Sequence, residues 1–151
     1  MSAPRRTRRP PRPPVPSPAE AGTMGETDTL VRFLAAVPEA LPHVRAFRRN
    51  IVNAAVSAGG RQFHAVAGVS GQADAYAIVA GGGHVEIETK AAKGVMREAQ
   101  TAWREQMIRM RVPHLVLRIR TGEHVDATVE RWIVELRDAV DCILADSGGA
   151  P

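Results

Sequence analysis

Hydrophobic positions recur along the chain with two different periods, and each change of period marks an element. Over residues 26–37 the apolar side chains Leu30, Val31, Phe33, Leu34 and Val37 fall on one face at helical spacing. That predicts an amphipathic helix, with Thr23 or Thr27 as its cap and Pro38 and Pro42 as its end. Alternation takes over in residues 44–49 and 61–67, two predicted strands with Gly59 and Gly60 as the punctuation between them. The clearest hairpin pattern joins residues 74–79 to 84–90 through a glycine-rich turn at 80–83. No Gly-Lys-Ser/Thr follows these glycines, so they make a turn and not a phosphate cradle. After Gly94 helical spacing returns as far as Met110, with Ala99, Ala102, Trp103, Met107 and Met110 on one broad face. Residues 113–120 form a further strand, Thr121 and Gly122 turn the chain, and 125–144 is a closing amphipathic helix. The predicted order is α, β, β, β, β, α, β, α, which suits a small α/β or α+β domain with helices flanking one mixed sheet.

Residues 1–22 break with this pattern. They are mostly Pro, Arg, Ser and Ala, a composition that buries too little apolar surface to offset the entropy of ordering it. A disordered tail and a folded domain over 23–147 are therefore expected. The tail carries Arg5, Arg6, Arg8, Arg9 and Arg12 with no acid before Glu20. Without those five, the 20 basic residues of the chain become 15 against 16 acidic ones. The net charge of +4 thus describes a basic tail on a nearly neutral body, and a nucleic-acid partner has to be argued from a site. The tail itself reads as a flexible cationic arm, as a solubilising extension, or as untranslated sequence ahead of Met24.

Cys142 is the one cysteine, which leaves no disulfide framework and no cysteine zinc cage and makes an intracellular compartment the default. No apolar run approaches the roughly 18 residues of a membrane span, and the early arginine pairs lead into prolines instead of an apolar signal segment.

Chemistry concentrates on the hairpin. At strand period His84, Glu86, Glu88 and Lys90 share one face, while Val85, Ile87 and Thr89 share the other. If the turn pairs Val79 with Gly83, Asp74 falls opposite Glu88, and two carboxylates and an ammonium converge. A slip of one residue would send Asp74 to the other side. Two carboxylates suit a hard divalent cation such as Mg²⁺, and a lysine beside them can orient water and stabilise charge on a phosphate. Lysine is scarce here: Lys90 and Lys93 are the only two, against 18 arginines.

Asp74 followed by Glu88-Thr89-Lys90 resembles the Asp…Glu-x-Lys motif of the PD-(D/E)XK nuclease superfamily. Further residues are similar to the VRR-NUC family of small standalone phage and bacterial nucleases. These are Arg48-Arg49-Asn50 with Ala54-Ala55, the Gly60-Arg61 turn, Gly71-Gln72-Ala73-Asp74, and Gln100-Thr101-Ala102-Trp103. Together they span about residues 26 to 120, and their order is more specific than any one of them. The chain departs from the family pattern at Ala73, where many members have proline, and at Ile51-Val52-Asn53.

The resemblance implies a restriction-endonuclease-like core and a Mg²⁺- or Mn²⁺-dependent endonuclease acting on DNA, with branched substrates such as Holliday junctions or flaps. It also implies roles. Asp74, Glu88 and the Thr89 carbonyl would hold the metal, with Glu26 as a further ligand; Lys90 would position the water and Gln100 would face the site. A homodimer is expected, since cutting both strands of a junction takes two active sites. The protein would work in the cytoplasm of a bacterium or phage-infected host, at the nucleoid when bound to DNA. The alternatives are a catalytically inactive nucleic-acid-binding accessory that keeps the fold, and an interaction module of a larger complex.

Each candidate also has a plainer reading. Asp74 suits a turn, Glu88 and Lys90 suit a solvated ion pair, and Glu26 suits the first turn of any helix. Glu86 is expected as a neighbour of the site and Trp103 as core packing. Arg48, Arg49, Asn50, Lys93 and Arg97, with Arg104, are candidates for phosphate contacts in a chain that scatters arginine widely. The five histidines show no metal-binding spacing, and His84 reads as a surface residue.

Overall fold

A computed structural model of the chain describes residues 25–49, 52–58 and 61–147. Helix α1 (Glu26–Ala40) buries Leu30, Phe33 and Val37 as its spacing predicts, whereas Val31 is turned outward and is 50% exposed. It starts at Gly25 without a side-chain cap, the Thr29 hydroxyl donating back to the Gly25 carbonyl at 2.9 Å. Pro38 does not end it. A proline in the last turn forfeits a single backbone hydrogen bond, and the helix closes beyond it with the Leu41 N–H on the Val37 carbonyl.

Five strands follow where four were expected: β1 (Val44–Arg48), β2 (Val52–Ala58), β3 (Arg61–Ala67), β4 (Ala75–Val79) and β5 (Gly83–Lys90). Helix α2 (Glu98–Arg109), strand β6 (His114–Arg118) and helix α3 (Val125–Ser147) complete the order. The extra strand is β2, whose run of small residues carries no apolar alternation. It pairs with β3 in a separate two-stranded ribbon, so the expectation of one sheet for all strands is corrected to two. The expected tail lies outside the described residues, as do Thr23, Asn50, Gly59 and Gly60.

The main sheet has the order β1-β4-β5-β6, antiparallel except for the parallel β5–β6 pair that α2 connects. It is a mixed sheet in an α+β arrangement, with three helices among the described residues. Helices α1 and α3 cover one face, where Ala75, Ala77, Val79, Val85, Ile87 and Leu117 pack against Phe33, Trp132, Leu136 and Val140. Phe33 meets Trp132 edge-on, with ring centroids 5.7 Å apart, a favoured aromatic geometry at the centre of the core.

Helix α2 lies on the other face, over β5 and β6. Its expected apolar face is mostly outside the core: Met107 is buried and Trp103 half-buried, but Ala99 and Ala102 are exposed and Met110 is 62% exposed. With helices on both sides, β5 is enclosed from Val85 to Lys90, its charged residues included.

Candidate active site

The hairpin has the register on which the convergence of Asp74 and Glu88 depends. Val79 pairs with Gly83 and Ala75 with Ile87, so the next position along β4 is Asp74 opposite Glu88. The ladder stops there, and the Thr89 N–H goes to the Asp74 carboxylate instead of a backbone carbonyl. Both the Thr89 amide and its hydroxyl donate to Asp74 Oδ2 at 2.8 Å. The Asp74 carbonyl in turn accepts from the Arg49 N–H at 2.8 Å, so β1 holds its backbone from the other side.

Backbone directions place one more oxygen. The N–H and C=O of one strand residue point to the same side. The Lys90 carbonyl faces β6, where it accepts from the Ile119 N–H at 2.9 Å. Thr89 faces the opposite way, toward Asp74 and past the end of β4, and its carbonyl follows its N–H.

Glu88 is fully buried, at 0% exposure. Its Oε1 accepts from the Lys90 ammonium and from the Gln100 side-chain amide, while Oε2 is buried with no hydrogen-bond partner. Burial pushes the Glu88 carboxyl above its ordinary pKa, and the nearby charges of Asp74 and Glu26 push the same way against the pull of Lys90. Gln100 is oriented by its helix: its Oε1 accepts from the Arg97 N–H at 3.0 Å at the start of α2, which turns the amide nitrogen to Glu88.

Gly71 makes that approach possible. Its φ is +84°, and a Cβ there would run into the Ala99 carbonyl and lie 2.9 Å from the Gln100 backbone nitrogen. Glycine lets the loop before Asp74 lie directly on the first turn of α2.

Asp74, Thr89, Lys90 and Gln100 open on a cavity of about 220 Å³ that Glu26, Arg48, Arg49 and Arg97 also line, whereas Glu88 is fully buried and is not itself part of that lining. The expected residues Asp74, Glu88, Thr89, Lys90, Gln100 and Glu26 thus come together. Lys93 is exposed and is not part of that lining, and Asn50 lies outside the described residues.

A second carboxylate, Glu86, sits two residues back along β5 and belongs to a different set of contacts. Arg49 grips it with both terminal nitrogens at 2.6 and 2.9 Å, His84 Nε2 lies 2.7 Å away and the Trp103 indole N–H donates to it at 3.1 Å. Burial works against the charge, but these hydrogen bonds outweigh it and bring the Glu86 pKa to about 2. Glu86 is therefore a fully engaged structural anion. Arg49 is tied to it, and Trp103 contributes a hydrogen bond as well as packing. Sequence reasoning missed this role because the partners lie 37 and 17 residues away along the chain. His114, beside Glu86 on β6, has a buried Nδ1 without a partner, and burial lowers its pKa.

Among the described residues no group of three or more His, Cys, Asp or Glu side chains is assembled to hold a metal ion, and no helix is long and apolar enough to cross a membrane. Comparison with protein-family models, with curated proteins and with solved structures finds no match.

Proposed function

We propose that the protein is a Mg²⁺- or Mn²⁺-dependent endonuclease of restriction-endonuclease-like fold that hydrolyses DNA phosphodiester bonds, with branched DNA, a Holliday junction or a flap, as its substrate class. The observation that carries this reading is Glu88 Oε2, a buried carboxylate oxygen without a partner in a site that already supplies a second carboxylate and a lysine. A buried acceptor left unpaired is costly, and a cation is the ligand that a charged oxygen in this setting favours.

The donor set fits a hard cation. Asp74 would contribute the oxygen that Thr89 does not use, Glu88 its Oε2, and Thr89 its carbonyl, with Glu26 close enough to add charge. Mg²⁺ needs only one or two carboxylates, so the lack of a larger cluster of ligating side chains does not conflict with it. A bound divalent cation supplies Lewis-acid stabilisation of the charge that develops on the phosphate.

The protein's own residues do the rest. Gln100 and Lys90 fix the Glu88 carboxylate, and Thr89 fixes Asp74. Lys90 orients the attacking water and offsets negative charge in the transition state. Arg48 and Arg97, both exposed at the cavity, meet the phosphates, while Arg49 buttresses the site through Glu86. Action on both strands of a junction calls for a homodimer, and the substrate places the protein in the cytoplasm at the nucleoid.

Labelled duplex, flap and four-way DNA incubated with Mg²⁺, Mn²⁺ or EDTA test the reading. Metal-dependent cleavage is expected, strongest on branched DNA, and Asp74→Asn and Lys90→Ala should abolish it while preserving the fold. Binding without cleavage by the wild type would leave the accessory-protein reading in its place.

A further inference from the structure

The sheet face that carries Glu86 and Glu88 continues beyond α2 across β4 and β1, where its open positions are Arg45, Phe47, Tyr76, Ile78 and His84. On this stretch the rings form a row. Tyr76 and His84 are stacked within 7° of parallel at 5.6 Å, and Phe47 lies 5.4 Å from Tyr76 on its other side. Phe47 is 45% exposed and Ile78 40% exposed. Phe47 stands on β1, the edge strand, so no further strand of the sheet covers the row at that end.

The chain is poor in aromatics, at 4%, and two of the others, Phe33 and Trp132, are sealed in the core. Phe47, left open beside the candidate site, differs from those two. Arg49 joins the two features, with its guanidinium carbon 5.0 Å from the Tyr76 ring centre and its side chain in the lining of the cavity. The charge of this stretch suits a polyanion: Arg45 is exposed, none of its open positions is an acid, and of the acids farther along the same face Glu86 and Glu88 are buried and paired with Arg49 and Lys90 while Asp74 lines the cavity.

We propose that Phe47, Tyr76 and His84 form a stacking platform for an unpaired base of the DNA strand held at the site. A base set against Phe47 extends a row of rings in which Phe47 is tilted 31° to Tyr76 and Tyr76 is stacked on His84. Base–aromatic stacking is tolerant of sequence, because every base offers a π-face, and it favours unpaired over duplex DNA. The inference rests on the nuclease reading and narrows its substrate to DNA with a single-stranded segment next to the cut.

Fluorescence anisotropy in EDTA, with labelled oligo(dT) and with an equally long oligomer lacking bases, tests it without cleavage. The wild type should prefer oligo(dT). Phe47→Ala should weaken oligo(dT) binding at least about fivefold, the low end for one stacked base, and leave the abasic oligomer unaffected. Phe47→Leu, which keeps apolar volume without a π-face, should behave as Phe47→Ala does, and Phe47→Trp should retain the preference. An unchanged preference in Phe47→Ala overturns the proposal. So does a wild-type dimer in sedimentation that Phe47→Ala dissociates without altering base preference, since the face would then belong to a second copy of the chain. A protein that never cleaves DNA yet shows Phe47-dependent base preference refutes the nuclease reading alone, and a nuclease without that preference refutes the platform alone.

Discussion

Replacing Glu88 by glutamine removes one negative charge from the fully buried position between Lys90 and Gln100 while keeping the shape of the side chain. The folded pKa of Glu88 lies above its ordinary 4.5, through burial first and then the charges of Asp74 and Glu26. A carboxyl shifted upward is fully tolerated below its unfolded pKa and costs stability as pH rises through its folded pKa. Without metal and near neutral pH, the wild type therefore bears a cost that Glu88→Gln lacks, and the variant should melt at least as high.

Added metal should reverse the order. A ligand at about 100 times its Kd stabilises the folded state by about 2.7 kcal/mol. With an unfolding entropy of about 2.1 cal/mol/K per residue, a domain the size of residues 25–147 gains about 10 °C. If loss of the Glu88 charge weakens metal binding about 100-fold, the same metal concentration adds only about 0.4 kcal/mol, or between about 1 and 2 °C. Scanning calorimetry of both proteins in EDTA, Mg²⁺ and Mn²⁺ measures the difference. Equal metal-induced shifts would mean that Glu88 is not a ligand and would remove the central support of the nuclease reading.

Two further outcomes follow from the surroundings of the site. Gly71→Ala forces a side chain into a left-handed backbone conformation and against the Ala99 carbonyl. It should cost about 1–3 kcal/mol of stability in thermal melts, and cleavage measured well below the melting point should fall as Asp74 and Gln100 separate; full activity in a destabilised variant would show that this contact does not position them. Glu86→Gln leaves Arg49 without its counter-charge and should cost on the order of 3 kcal/mol. Because the folded pKa of Glu86 is about 2 against an ordinary 4.5, its contribution is complete above 4.5 and disappears as pH falls toward 2. Urea melts across that window should therefore fall less steeply in the variant than in the wild type. The difference between the two proteins is the readout, since Glu123, held at about 2 by Arg131, titrates over the same range.

The parts of this molecule that are legible in its sequence are those governed by local spacing. The glycine-rich turn marks the hairpin, and on the condition that it pairs Val79 with Gly83, as it does, Asp74 falls opposite Glu88. Helical periodicity finds Leu30, Phe33 and Val37, although it assigns Val31 to a face that α1 leaves open. Strand β2 is hidden because a run such as Val52–Ala58 lacks the contrast between apolar and polar positions that alternation needs. Alternation also sorts β5 into two faces without saying what covers the polar one. That depends on α2, which packs there through Gln100 and through Trp103 and Met107 of its expected apolar stripe, leaving Ala99, Ala102 and Met110 exposed. The binding of Arg49 to Glu86 is a contact between strands that are not neighbours in the sheet, so no local pattern announces it.

Gln100 serves two structures at once, the first turn of α2 through the Arg97 N–H and the buried carboxylate of Glu88. Among the described residues α2 buries a single side chain, Met107, and its C-terminal end leaves Ile108 and Met110 in solvent. Segments anchored so lightly open by local fluctuation at a fraction of the free energy of global unfolding. Fraying of the α2 N-terminus and loss of the Gln100 contact to Glu88 are then one event, in which Lys90 alone is left to hold the carboxylate while the core around Phe33 and Trp132 is still intact. The lifetime of the Gln100 contact is set by the breathing of one helix end, and a ligand that held Glu88 in place would act as a brake on that motion.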